Sequence, residues 1–405
     1  MSTQEIYSTA SPSYSHPKTL IFWACSLILV AFNLRTIFPS FGALMPEIRQ
    51  SLNLSSGLAS LITTLPVLCL GLFAPFAPKL AQKLGIERTI FIIMFVLTIG
   101  ILLRGTGELS GLLIGTILAG GAIAIINVLL PSLIKRDFSQ SIGLMSGLYA
   151  MALLGGAAIA AGTTLPLQQF FHGDWSSALA IWVVPAILAW LFWLFQYPQH
   201  SVPLKIIAPK IRGLWQCKLA WQVTLFMVLQ SMYSFTVFGW LSPFLRDRGI
   251  AVFDASLIVS SSIFLQTIAC FLAPVIATRL PHQSWFNVVV VLLTVIGFIG
   301  CLMAPLHTIW LWAVILGLGQ GALTSIAMAM IVLRSENTHV AAQLSSMVQS
   351  VGFGFGAFGP LMVGLLYQSP GHFIKVEIFL ACVALALIYV GFKAGQDRYV
   401  SVEIV

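Results

Sequence analysis

Charge is what this chain has least of. Only 8% of its 405 residues are Asp, Glu, Lys or Arg, against roughly 25% in soluble domains. Such a composition cannot cover a water-facing exterior, so a soluble fold is excluded and an integral membrane protein is implied. Acids are scarcest, 12 against 20 basic residues, and none is expected within the membrane core. A net charge of +8 would suggest nucleic acid in a soluble chain. Here the basic residues fall in short loops between apolar runs, where the positive-inside rule accounts for them, and no nucleic-acid partner is expected. The six cysteines (Cys25, Cys69, Cys217, Cys270, Cys301 and Cys382) show no CxxC or Cys/His spacing. That argues against a metal centre and leaves free core thiols. Walker A, GxSxG and HExxH motifs are missing, and no soluble domain remains to house them, so neither enzyme chemistry nor a cofactor is expected. The first eighteen residues lack a basic n-region and a cleavage site. They read as a disordered cytoplasmic tail rather than a signal peptide.

Apolar sequence is abundant, with 59% of residues hydrophobic. A helix crossing a ~30 Å hydrocarbon layer needs about 20 such residues. Twelve segments qualify: 19–45, 55–80, 87–104, 108–134, 138–166, 175–197, 217–245, 252–279, 284–304, 307–333, 338–367 and 373–393. The Pro-rich, basic stretch 198–216 divides them into two sets of six. The expected organisation is a tail (1–18), a six-helix bundle (19–197), a linker (198–216), a second bundle (217–393) and a second tail (394–405). With both termini in the cytoplasm, fourteen Lys and Arg fall on that side and five on the other, leaving Arg35 in the membrane. This is the asymmetry that the positive-inside rule demands.

The two halves repeat. "ASLI" at 59–62 recurs at 255–258, and the same offset of 196 aligns "APKLAQKLG" (77–85) with "APVIATRLP" (273–281). "LMPEIR" (44–49) matches "LSPFLR" (241–246) at an offset of 197, and "LMSGLYAMALLGGA" (144–157) matches "LSSMVQSVGFGFGA" (344–357) at 200. Two parallel six-helix repeats place a substrate site at their interface near the midplane. The fold class is therefore all-α, with twelve membrane helices in two repeats.

These features resemble the major facilitator superfamily. Its loop signature between the second and third helices, roughly G-x-x-x-D-R-x-G-R-R-R, is similar to "PKLAQKLGIER" (78–88). Pro78 stands at the first Gly, Gln82 replaces the acid, Lys83 replaces the first Arg, and Gly85 and Arg88 match. "NLR" (33–35), "LMPEIR", "TTLPVLCLGLFAPFAPKLAQKLGIERT" (63–89) and "NVLLPSLIKRDF" (127–138) resemble the cyanate-permease and 2-nitroimidazole-transporter branch. The resemblance implies a secondary carrier in which two halves rock about a central cavity. It also implies substrates such as small anions, or nitroimidazole drugs exported from the cell.

Arg35 is the leading candidate for the site. It lies seventeen residues beyond Lys18, about 25 Å along a helix, and a charge at that depth must face the bundle interior or a wet cavity. With no acid expected to pair with it, its planar donor fork suits a small anion with two acceptor atoms. Anchoring to carbonyls or amide side chains is the other reading. Asn33 lies nearly opposite on the wheel, and Phe38 is one turn away. In the seventh segment Gln230, Tyr233, Val237 and Trp240 share a face, with Tyr233 near the depth of Arg35. Tyr149 and Gln349 are equivalent under the 200 offset and near the midplane, and Gln266 and Gln320 are further pocket candidates. Gln82, Lys83, Gly85, Arg88, Asn127 and Arg279 are candidates for gating at the inner side.

Coupling has no obvious carrier. Proton-driven carriers place a titratable acid in the cavity, and the seven histidines all fall in loops or at helix ends. Anion exchange or facilitated diffusion is favoured, with proton symport through Glu47 or through the substrate's own carboxyl also open. The Gly-Pro signature of drug/proton exchangers is missing, since no Pro lies between Ile142 and Leu165. The expected protein is a monomeric transporter of a small anionic solute, such as cyanate or a carboxylate, in the plasma (bacterial inner) membrane. Its partners are that solute and the lipid bilayer, it works by rocker-switch alternating access, and Arg35 binds the anion. The alternative is an exporter of neutral or cationic drugs such as nitroimidazoles, with Arg35 structural. A sensor or intramembrane enzyme is a third reading.

Overall fold

A chain this apolar must satisfy its backbone internally when it crosses lipid, and helices do so within one segment. The computed structural model describes residues 17–138, 141–195, 211–336, 338–367, 372–400 and 403–404. The expected tail up to residue 16 and linker residues 196–210 lie outside the described residues, as do residues 401, 402 and 405. The first half comprises α1 (Pro17–Ser51), α2 (Ser56–Phe73), α3 (Phe76–Leu84), α4 (Ile86–Arg104), α5 (Leu109–Asp137), α6 (Ile142–Phe170), α7 (Trp175–Ala180) and α8 (Val183–Leu194). The second comprises α9 (Lys218–Asp247), α10 (Val252–Thr278), α11 (Ser284–Met303), α12 (Ile309–Leu333), α13 (Thr338–Gly356), α14 (Phe358–Tyr367) and α15 (His372–Ala394). A two-residue ribbon pairs β1 (Ile211–Arg212) antiparallel with β2 (Glu403–Ile404).

Eleven spans are long and apolar enough to cross a membrane, and a twelfth is the pair α2–α3, bent by 57°. The twelve expected segments are thus present, three of them broken. Pro75 sits at the bend in α2–α3, and a proline there removes a donor and clashes with the preceding turn. At the far end of α3, Gly85 has φ 85°, which only glycine adopts without strain, so the loop signature's glycine makes the reversal into α4. One expectation needs correcting. Glu377 lies in α15, inside the apolar window Ile374–Ala394, and its Oε1 is buried without a partner. Its position near a helix start hid it in a reading that weighed only depth.

Within the halves, α1 packs along α6 and α4 along α5, while α10 packs along α12 and α11 along α12 and α15. The halves meet along three seams: α6–α10, α2 against α13 and α14, and α1–α9. Small side chains make the seams close. At α6–α10, Ser256 and Ser260 donate to the carbonyls of Ala161 and Ala158 at 2.7 and 2.8 Å.

Both described chain ends lie at one face, here termed the terminal face. Ser345, Ser346, Gln349 and Ser350 in the middle of α13 line a cavity with residues of α3 and the first residue of α4 on that side, and the β1–β2 ribbon ties the second half's first and last residues together. Each half carries an arginine clasp at this face. Arg136 donates to Glu87 Oε1 at 2.5 Å and to both oxygens of Asp137 at 2.6 and 2.9 Å, and Asp137 also accepts from Trp23 Nε1. Arg334 donates to Gln283 Oε1 and to the carbonyls of Ala394 and Gly395, the carbonyls both at 3.0 Å, with Asp397 at 3.5 Å. Burial works against the charge of Arg136, but hydrogen bonds and attraction from Asp137 and Glu87 outweigh it and hold the guanidinium above its ordinary value. At Arg334 burial prevails over Asp397 and pulls the value down.

Candidate functional site

Arg35 lies midway along α1, on the side facing α9 and α6. Its guanidinium carbon stands 5.4 Å from the centre of the Phe235 ring, 5.7 Å from Phe38 and 5.9 Å from Phe238. Among the described residues it has no hydrogen bond or ion pair, and its Nε is buried without a partner. Each cation–π contact is worth about 0.5–2 kcal/mol, against a cost of about 3 kcal/mol or more for an arginine at the membrane centre. The rings therefore offset much of the penalty without supplying a counter-charge. Tyr149 on α6 and Cys270 on α10 are near enough to interact electrostatically with Arg35.

Tyr149 connects this centre to an opening. Its hydroxyl donates to Asn127 Oδ1 at 3.1 Å. Asn127 lines a cavity of about 500 Å³ at the terminal face with Ser132 and Ala81 from one half and Ser345, Gln349 and Ser350 from the other. Gln349 donates to Ser345 at 2.7 Å. Asn127 and Gln349 thus line one cavity between the two halves, with Tyr149 hydrogen-bonded to Asn127.

The second half adds uncharged polar groups. Gln320 Nε2 donates weakly to Thr324 Oγ1 at 3.5 Å, Thr324 donates to Gln230 Oε1 at 3.3 Å, and Gln230 Nε2 donates to Ser231 Oγ at 3.2 Å. Gln320 Oε1, Gln266 Nε2 and Ser262 Oγ are buried without partners, although Gln266 and Gln320 are fully packed at the α10–α12 contact.

Other candidates point elsewhere. Tyr233 donates to the Leu380 carbonyl at 2.5 Å and meets Phe298 edge-on, so it faces α15 and α11 instead of Arg35. Asn33 donates to the carbonyls of Leu29 and Pro185 at 2.8 and 3.2 Å, which ties α1 to α8. Trp240 is fully buried and donates to the Pro360 carbonyl at 3.1 Å. Gln82, Lys83 and Arg279 are exposed at helix ends of the terminal face, and Arg88 lies in the first turn of α4. Sequence reasoning passed over Phe235, Phe238 and Cys270. A signal existed for one of them: the 197 offset carries Phe38 onto Phe235 and Gly42 onto Gly239.

Both pairs meet in space. The Phe38 and Phe235 rings are 5.5 Å apart. A Cβ on Gly42 would stand 2.4 Å from the Phe238 carbonyl oxygen and 3.1 Å from Gly239 Cα, so α1 and α9 cross backbone to backbone and no larger residue fits. Beyond that crossing the two halves are clasped together by side chains. Glu47 receives Arg246 in a fork at 2.6 and 3.1 Å, Arg246 also reaches the Ala43 carbonyl, and Tyr367 donates to Asp247. Trp240 packs between Phe244 and Tyr367. One cavity of about 500 Å³ lies on the terminal face, and a second of about 490 Å³ lies on the other, lined among others by Met45, Arg49, Asn53, Trp240, Asp247 and Tyr367.

Comparisons with known proteins agree with this architecture. The family model described as Major Facilitator Superfamily matches residues 23–360. The chain is 37% identical to an uncharacterized transporter, YycB, of Bacillus subtilis (strain 168), over 96% of this chain and 97% of that one. It is 32% identical to the 2-nitroimidazole transporter of Escherichia coli (strain K12), over 96% and 99%, and 27% identical to the cyanate transport protein CynX of the same strain, over 92% and 97%. Among solved structures, a D-xylose–proton symporter matches with TM-score 0.75 at 11% identity, covering 93% of this chain and 98% of that one.

Proposed function

The chain belongs to the Major Facilitator Superfamily and is an integral membrane transporter, and from that premise we propose that it carries a small monovalent anion, with Arg35 as the anion-binding residue. The observation that supports this reading is the guanidinium at the meeting of two halves with no counter-charge of its own. A carboxylate or cyanate reaching it from the cavity would pass Gln349, Asn127 and Tyr149, each able to donate a hydrogen bond. It would then meet a fork that binds two acceptor atoms. The two halves rock about this point, alternately opening the cavity at the terminal face and the closure at Glu47–Arg246. The terminal face is cytoplasmic on the positive-inside rule, in a bacterial inner membrane, and the carrier performs no chemistry on its solute.

One observation favours a second reading. Three phenyl rings around Arg35 partly satisfy it without any anion, and a relative at 32% identity is named for 2-nitroimidazole. An uncharged, planar solute would lie against such rings while Arg35 stays structural.

Uptake of radiolabelled cyanate, benzoate and 2-nitroimidazole into proteoliposomes separates the two. Arg35→Ala should lower anion uptake roughly tenfold or more, as expected for losing a charged hydrogen-bond partner, with Arg35→Lys in between. If Arg35→Ala reconstitutes normally and carries the anions at the wild-type rate, Arg35 is not the anion site.

A further inference from the structure

Phe235 and Phe238 belong to α9, in the opposite half from Arg35, and that division has a consequence for binding. We propose that these two rings compete with the transported anion for the Arg35 guanidinium, so that they set the affinity of the site and tie it to closure of the opposite face. The inference rests on the reading of Arg35 as the anion site.

A phenyl ring attracts a cation through its negative face. An anion seated on the guanidinium would present its own negative charge to the same faces, so rings and anion oppose each other. The rings cannot swing aside within this arrangement. Phe235 packs against Phe38 and, edge-on, Phe353, and both Phe235 and Phe238 are buried. They leave Arg35 only if α9 moves from α1, which breaks the Gly42–Gly239 crossing one turn further on. Binding of an anion therefore weakens the closure, and by linkage opening the closure strengthens anion binding.

Cys270 provides the readout, since it is half-buried and within electrostatic reach of Arg35. In full-length protein with the other five cysteines replaced by alanine, benzoate and cyanate are titrated against alkylation of Cys270 by N-ethylmaleimide. The half-protecting concentration is measured for wild-type rings, for Phe235→Leu with Phe238→Leu, and for 3,4,5-trifluorophenylalanine at position 235. The fluorinated ring keeps the shape but cancels the negative face, so it guards against a variant that merely misfolds. The half-protecting concentration should fall roughly tenfold in the double leucine variant and in the same direction with the fluorinated ring. A rise would mean that the rings are contacts of the anion and would overturn the proposal. So would an effect of leucine with none from fluorination, because that marks packing alone. If neither anion protects Cys270 with any set of rings, the anion reading of Arg35 falls, and this inference with it. Protection in the wild type without the predicted fall removes this inference alone.

Discussion

Each half fastens the start of its third span to the end of its fourth with one arginine, yet the partners differ in charge. Arg136 meets two carboxylates, whereas Arg334 meets an amide oxygen and two backbone carbonyls, with an acid only at 3.5 Å. The offsets of 196 and 198 that relate Glu87 to Gln283 and Arg136 to Arg334 match those of the sequence repeat. The geometry is therefore that of the duplicated unit, and only the charge has diverged. The reason lies on the far side of Gln283. Its Nε2 donates to the carbonyls of Ala277 and Leu280 at 3.1 and 3.0 Å, a task no carboxylate performs. The same division runs through the centre: the first half brings the charged Arg35, and the second brings rings and amides. Two copies of one scaffold can thus hold opposite sides of one interaction.

The largest expected effect breaks the charged clasp. Arg136→Ala leaves the fully buried Glu87 side chain and Asp137 without their cation, and removing one member of a buried pair costs about 3–5 kcal/mol. Arg334→Ala leaves neutral acceptors and should cost less, about 1–3 kcal/mol. Thermal unfolding of both purified variants in one detergent checks the order, and equal shifts would remove the distinction between the clasps. The next test makes the second clasp resemble the first. Gln283→Glu gives Arg334 a carboxylate but turns the other oxygen on two carbonyls, and we expect a net loss of about 1–2 kcal/mol by the same assay. A stabilised protein would show that charge was the missing element and the carbonyls unimportant.

The smallest effect concerns the clasp between the halves. Glu47 and Arg246 are about one-fifth exposed and paired as a fork. Glu47→Gln keeps one oxygen acceptor and removes only the charge, so we expect a loss of about 1 kcal/mol in unfolding, while spin labels at Gln50→Cys and Phe253→Cys report a larger open population at the opposite face. An unchanged distance distribution would relieve Glu47 of any role in closure.

Much of the architecture was legible beforehand because lipid allows little else: apolar runs of membrane length, a positive-inside bias and an internal repeat leave few folds. The repeat also held part of the site, since Phe38 with Phe235 and Gly42 with Gly239 are repeat mates that meet at the α1–α9 crossing. Tyr233 shows where that reasoning stops. It has the depth of Arg35, but α9 is buried almost all round, with polar side chains on several faces, so a helical wheel gives no direction for any one side chain. Glu377 shows the same limit for charge, since depth along a segment does not reveal which groups a carboxylate meets.

By itself the sequence determined the membrane class, the twelve spans and the two-fold repeat, because composition and spacing are properties of the chain alone. Only the tertiary structure decided what surrounds Arg35, that no acid pairs with it, and that Glu87, not the position of Gln82, supplies the acid of the terminal-face clasp. Those facts depend on the rotation of each helix about its axis. That rotation is fixed by packing among neighbours distant in sequence, which hydropathy and periodicity do not record.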